Sequence, residues 1–348
     1  MAWKRLGVRF PLSPLMKTKY KAAQYVDALS IPLGWSENNI ADLSGKKFLI
    51  TGATSGLGAQ CAGVLLRKGA EVIITARDLK KAAKVEATFG KFSGSLDVVE
   101  MDLADLASVR AAASTINSGI KKNGKKYDGV ILNAGIMATP YSSTKDGFEL
   151  QMGTNHLGHF AFAGLIHKQI AGRIVSVASQ AHRMGSFGSN SIDDIRDRCC
   201  GVGKYSPWAA YGSSKLANLL FISELERRRL ANNWELTPVA AHPGWAATNL
   251  FGVAPAMAGK HLQEKVMNEI NKVFAQSAEI GALPLLAALT FPNLIGSSYV
   301  GPSQYFEMRG TPKLTRARAL AYDQVLAGNL WTVSEELTGV SWENSARA

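Results

Sequence analysis

Two side chains four residues apart, Tyr211 and Lys215, have the chemistry of a proton-handling pair. In a helix, positions i and i+4 share one face, so a phenol and an ammonium project into the same cleft. A free phenol titrates near pH ~10 and is a poor base at neutral pH. A neighbouring cation favours the phenolate, so Lys215 is expected to lower the pKa of Tyr211. The spacing alone is common by chance. It gains weight from Asn133-Ala-Gly135, from Asn155 within Thr154-Asn-His-Leu-Gly-His-Phe160, and from Ser179 closing Ser176-Val-Ala-Ser179. Ser176 is the rival hydroxyl to Ser179.

These residues need a scaffold that converges them. From Lys47 onward, short β-branched runs alternate with amphipathic stretches. The runs Phe48–Thr51, Glu71–Thr75, Asp97–Met101, Asp128–Leu132, Arg173–Val177 and Glu235–Ala241 predict strands. Several are nearly all apolar, as in parallel strands covered on both faces. Gly58–Lys68, Leu106–Ile116 and Tyr211–Leu230 predict helices. The alternation implies an α/β fold, one doubly wound Rossmann-like domain with a mainly parallel sheet and helices on both faces. Right-handed crossovers then gather the strand carboxyl ends on one edge, where ligands bind. Residues 182–206 read as a long loop beside that edge. Residues 250–278, loose at first and then helical, read as a second substrate-side segment.

Thr51-Gly-Ala-Thr-Ser-Gly-Leu-Gly58 follows the first strand and opens a helix. Glycine permits close approach to a pyrophosphate, and a helix N-terminus offers it free N–H groups. Gly52, Thr54, Ser55, Gly56, Leu57 and Gly58 are therefore candidate dinucleotide contacts. Their Gly-x-x-x-Gly-x-Gly spacing differs from the best-known fingerprint. The second strand ends in Thr75-Ala-Arg77-Asp78. Arg77 suits the 2′-phosphate of NADP(H) in a bidentate pair, whereas Asp78 would favour NAD(H) were it one position earlier. NADP(H) is preferred and NAD(H) stays open.

Taken in order, Gly52-x-x-x-Gly56-x-Gly58, Asn133-Ala-Gly135, Asn155, Ser179, Tyr211-x-x-x-Lys215 and Pro243-Gly244 resemble the short-chain dehydrogenase/reductase family over about Leu43 to Ala247. Thr154–Phe160 and Ser214-Lys-Leu-Ala-Asn218 resemble the branch of retinol dehydrogenases, the WW-domain oxidoreductase and protochlorophyllide reductases. The resemblance implies that Tyr211 is the general acid/base, with Ser179 bonding the substrate oxygen. Lys215 would contact the ribose, and Asn155 would hold a water linked to Lys215. It places Asp102 and Leu103 by the adenine and Asn133, Ala134 and Gly135 along the adenosine side. Pro243, Gly244 and Thr248 would lie by the nicotinamide. The implied reaction is hydride transfer between NADP(H) and a lipophilic carbonyl or alcohol. Reduction of a carbon–carbon double bond and non-catalytic NADP(H) binding are the alternatives. The family also implies a homodimer or homotetramer.

The 348-residue chain is 47% hydrophobic and carries a formal net charge of +12, with three cysteines. That apolar fraction excludes general disorder. The vicinal pair Cys199–Cys200 with Cys61 makes no disulfide framework, which points to a reducing compartment. Basic residues Lys4, Arg5, Arg9, Lys17, Lys19 and Lys21 precede the first acid, Asp27, and are interspersed with Trp3, Phe10 and Tyr20. Residues 1–42 are thus read as a basic extension before a domain of 43–348. A cytoplasmic location is expected, with membrane-surface contact or organellar targeting through the extension as the alternative. Nucleic acid is not an expected partner. His156 and His159 lack a carboxylate or Cys cluster, so no metal site is expected.

Overall fold

The computed structural model describes residues 30–245 and 276–343. The chain divides into two units, Met1–Ser30 and Ile31–Ala348, and the second holds the sheet and its helices. Its elements are β1 (Lys47–Thr51), α1 (Gly56–Arg67), β2 (Glu71–Ala76), α2 (Leu79–Glu86), β3 (Ser95–Glu100), α3 (Leu106–Asn123) and β4 (Tyr127–Leu132). A helical run comes next, from Leu150–Met152 through a π turn at Gly153–Leu157 into α4 (Gly158–Ile166). Then come β5 (Ile170–Val177), α5 (Ile192–Cys200), α6 (Pro207–Asn232), β6 (Thr237–Ala241), α7 (Ala278–Thr290), β7 (Tyr299–Gln304), β8 (Arg309–Leu314) and α8 (Gln324–Thr338).

One sheet of order β3-β2-β1-β4-β5-β6-β7-β8 carries the fold, parallel throughout except for the antiparallel β7–β8 pair. Every residue of β1 is buried, and alternate side chains enter different cores. Leu49 joins Val109, Ile116, Phe160, Phe221 and Trp331 on one face, under α3, α4, α6 and α8. Phe48 and Ile50 join Leu65, Leu66, Leu285 and Leu286 on the other, under α1 and α7. This two-sided burial explains the near-continuous apolar runs. Ile31, Trp35 and Ile40, ahead of Leu43, are buried in the second core.

Three local expectations change. The stretch 182–206 is not one loop: Ser191 caps α5 within it, its hydroxyl accepting from the Asp194 N–H. Helix α6 begins at Pro207, so Tyr211 lies one turn inside rather than at the start. Proline is favoured there because the first turn needs no N–H donor. The antiparallel β8 edge had no sequence counterpart. Its half-buried, proline-containing Arg309–Leu314 run lacks apolar alternation. Of the segment 250–278, only residues 276–278 are described, and Thr248 lies outside the described residues. Among the described residues, no helix is long and apolar enough to cross a membrane.

Candidate active site

The carboxyl ends of β1, β4, β5 and β6 deliver Gly52, Asn133–Gly135, Ser179 and Pro243–Gly244 to one edge of the sheet. At the β1–α1 turn, Gly52 has φ +66°, and a Cβ there would lie 2.6 Å from Ala134 Cβ. A Cβ on Gly58 would lie 2.5 Å from Asn133 Nδ2. Asn133 clamps the turn, donating from Nδ2 to the carbonyls of Thr51 (2.9 Å) and Gly52 (3.0 Å). Ser55 at the N-cap makes no side-chain bond to the first turn of α1. The N–H groups of Gly56, Leu57 and Gly58 are thus uncapped by it, with Thr54 beside them in the turn. A flat glycine surface at an uncapped helix N-terminus fits a pyrophosphate.

Arg77 is exposed and has no hydrogen bond or ion pair among the described residues. Asp78 is engaged differently: its carboxylate caps α2, accepting from Lys80 N (2.9 Å) and Lys81 N (3.1 Å). Asp102 folds its own loop, accepting from the Ala104 N–H at 3.0 Å, and Leu103 is buried against the first core.

Across the edge, α6 carries Tyr211 and Lys215 on its buried face. Lys215 Nζ lies 5.7 Å from the Tyr211 ring centroid and donates to the Val177 carbonyl at 3.0 Å. Asn218, one turn on, donates to the same carbonyl at 3.0 Å. Asn155 brackets Ile136, accepting from its N–H and donating to its carbonyl, both at 2.9 Å. It also donates to Ser214 Oγ at 2.9 Å, tying the π turn to α6. Gly135 fills the gap, since a Cβ there would stand 3.0 Å from Asn155 Oδ1 and 3.6 Å from Lys215 Nζ. Ser176 is buried within β5, paired in register with Leu132 and Ala240. Ser179 lies beyond the strand, its hydroxyl accepting from the Ala181 N–H at 3.2 Å and close enough to the Tyr211 phenol to favour its charged form.

Burial dominates the electrostatics. It pushes the Tyr211 phenol up to about 12, with Ser179 pulling the other way. Burial likewise pulls Lys215 down to about 8. Spacing along the helix had implied that Lys215 lowers Tyr211. In the structure burial raises the phenol instead, and Ser179 is the group that partly offsets it.

A sequence profile described as short chain dehydrogenase matches residues 46–191. Retinol dehydrogenase 14 of Homo sapiens is 34% identical over 322 residues, covering 86% of this chain and 88% of that protein. The chain belongs to the short-chain dehydrogenase/reductase family, in its retinol dehydrogenase branch. A solved protein from Mycobacterium paratuberculosis, described as putative and uncharacterized, superposes with a TM-score of 0.72 at 38% identity, over 89% of this chain and 99% of that one. A short-chain dehydrogenase from Burkholderia cenocepacia J2315, solved with NADP, shares the fold at TM-score 0.52 and 21% identity, over 72% and 92% of the two chains.

Within this short-chain dehydrogenase/reductase, one residue that sequence reading only set aside as a metal ligand has a definite structural place. His159, buried in α4, bridges the dinucleotide turn and the π turn. Its Nδ1 faces the Asn155 carbonyl at 3.1 Å, so Nδ1 carries the proton and Nε2 accepts from the Thr51 hydroxyl at 2.8 Å. Thr51 Oγ1 in turn accepts from the N–H groups of Asn133 (2.9 Å) and Ala134 (3.0 Å). Burial holds His159 down to about 4, which keeps the imidazole neutral for this role. His156 points elsewhere, to Ser334 Oγ at 2.9 Å. The available signal was the four-residue step from Asn155 to His159, one helical turn.

Proposed function

We propose that this protein transfers a hydride between NADP(H) and a lipophilic carbonyl or alcohol, with Tyr211 as general acid/base. One observation carries the reading: the Tyr211 phenol lies beside Ser179, Lys215 and the Asn155–Ser214 pair, on the sheet edge that also holds the Gly52–Gly58 turn. In reduction, Tyr211 donates its proton to the carbonyl oxygen while Ser179 hydrogen-bonds that oxygen and steadies its developing charge. In oxidation, Tyr211 takes the proton from the alcohol. Lys215 holds the ribose and passes the proton onward past Asn155. The bound nicotinamide supplies or accepts the hydride; the chain orients it and excludes water.

The contrast between Arg77 and Asp78 supports NADP(H). The Asp78 carboxylate is occupied by the α2 N-terminus, while Arg77 is exposed beside it with no carboxylate partner among the described residues. Gly52, Gly58 and Asn133 would seat the pyrophosphate end, and Pro243–Gly244 the nicotinamide end. A lipophilic substrate is supported by two exposed apolar side chains near Tyr211 and Ser179. Trp208 is 45% exposed with its ring 6.1 Å from the Tyr211 ring, and Met184, on the turn after Ser179, is 56% exposed. It agrees with the retinol dehydrogenase name of the relatives.

The test is absorbance at the nicotinamide band with NADPH and NADH against lipophilic aldehydes, ketones and enones, with product analysis. Turnover of aldehydes or ketones with NADPH is expected, and Tyr211→Phe should abolish it while cofactor binding persists. Products reduced only at the carbon–carbon bond, or unchanged turnover in Tyr211→Phe, would refute the reading.

A further inference from the structure

The turn between β7 and β8 places three consecutive non-glycine residues in the left-handed region: Tyr305 (φ 49°), Phe306 (φ 55°) and Glu307 (φ 66°). Such angles are unfavourable for L-residues and persist only where surrounding contacts impose them. The side chains of Tyr305 and Phe306 are exposed, Phe306 at 98%, and the Met308 N–H closes the turn on the Gln304 and Tyr305 carbonyls. Glu307 turns inward. Its carboxylate accepts from Gln180 Nε2 at 2.5 Å and from the Thr315 hydroxyl. His242 Nε2 lies 3.4 Å from it and Lys313 Nζ 3.9 Å.

These partners matter by their place in the chain. Gln180 directly follows Ser179, and its Oε1 accepts from Arg183 Nε at 2.8 Å. His242 directly precedes Pro243–Gly244 and is fully buried. The Gly244 N–H donates to His242 Nδ1 at 3.3 Å, so Nε2 carries the proton and faces Glu307 as a donor. The hairpin backbone completes the arrangement, with the Trp245 N–H donating to the Met308 carbonyl at 2.8 Å. Burial would raise the Glu307 carboxyl, but the bonds from His242 and Thr315 outweigh it and hold it at about 2, so it stays charged.

We propose that Glu307 is a positioning residue: its single carboxylate fixes Gln180 behind Ser179 and, through His242, the Pro243–Gly244 turn, setting the two flanks of the reaction crevice against each other. This deepens the proposed hydride-transfer function and rests on it. The carboxylate does not touch the reacting atoms. It acts because a misplacement of about 1 Å at the reacting centre costs up to about a hundredfold in rate.

The experiment compares wild type, Glu307→Gln, Gln180→Leu and the double variant, with an NADPH-consuming carbonyl from the aldehyde and ketone panel. Glu307→Gln should lower kcat at least about tenfold while the NADPH Kd stays within about twofold. Because Gln180 acts through its bond to Glu307, the double variant should be no slower than the slower single. Additive losses in kcat, or a parallel loss of cofactor binding, would overturn the proposal. A second readout needs no substrate. Amide exchange at His182, Gly185 and Trp245 should quicken in Glu307→Gln with the β1–β5 amides unchanged. Unaltered exchange at those three amides overturns the proposal whether or not wild type shows turnover. If Glu307→Gln does not fold, Gln180→Leu alone must give the kcat loss at constant NADPH Kd, and full activity in it overturns the proposal.

Discussion

Acidification should unfold this protein through its buried histidines, by an amount that the structure sets. Burial holds His156 at about 3, and His159 and His182 at about 4, against an ordinary value of 6.5. His159 faces the Thr51 hydroxyl and the Asn155 carbonyl, and His156 the Ser334 hydroxyl. His182 faces the Ser179 carbonyl and the Arg318 N–H. In each case the neutral ring satisfies its neighbours. The folded pKa lies below the unfolded one, so between them the unfolded chain binds more protons and stability falls as pH falls. At about pH 5.5 an unfolded histidine is mostly protonated and the folded one is not. Each ring then costs between about 1 and 2 kcal/mol, and three cost about 4 kcal/mol relative to pH ~7.5. Against a typical stability of roughly 5–15 kcal/mol, that lowers the melting midpoint by roughly 5 °C. The assay is calorimetry or circular dichroism melting at the two pH values. His159→Gln should start less stable and show about a third less pH dependence. A midpoint unchanged between about pH 7.5 and 5.5, where carboxylates remain ionised, would refute the assignment of these rings as neutral and buried.

Other perturbations test the crevice. Gly58→Ala drives a Cβ to 2.5 Å from Asn133 Nδ2 and 2.7 Å from the Gly52 carbonyl. It should cost about 1–3 kcal/mol by overpacking and abolish NADPH binding; retained binding in a titration would contradict the tight turn. Arg77→Gln should raise the NADPH Kd roughly ten- to a hundredfold and leave NADH unchanged, and equal effects on both cofactors would discard the 2′-phosphate assignment. Trp208→Ala should raise KM for bulky apolar carbonyls roughly tenfold while sparing small ones. A uniform change across substrate sizes would remove Trp208 from the substrate wall.

Much of the architecture was legible because its causes are local. Parallel strands buried on both faces require continuous apolar runs, so β1 to β6 showed themselves as Phe48–Thr51 and its counterparts. Gly52 and Gly58 were legible because a turn that close to another strand tolerates no Cβ. Tyr211 and Lys215 were legible because four residues make one helical turn. The β8 edge was not, since a half-exposed strand with Pro312 has no periodic signature. Nor was α5, whose nine residues bury Ile195 and Cys199 alone.

Sequence by itself determined which groups can do chemistry and the order in which a doubly wound sheet presents them, because those depend on residue type and on spacing along one element. Tertiary structure alone decided their states and supports. It ended β5 between Ser176, buried in the strand, and Ser179 beyond it, and it committed Asp78 to the α2 cap. Burial pushed the Tyr211 phenol up and pulled Lys215 down, a property of everything packed around them. The bonds of His159 to Thr51, and of Glu307 to Gln180, join residues 108 and 127 positions apart, a separation at which no local pattern carries information.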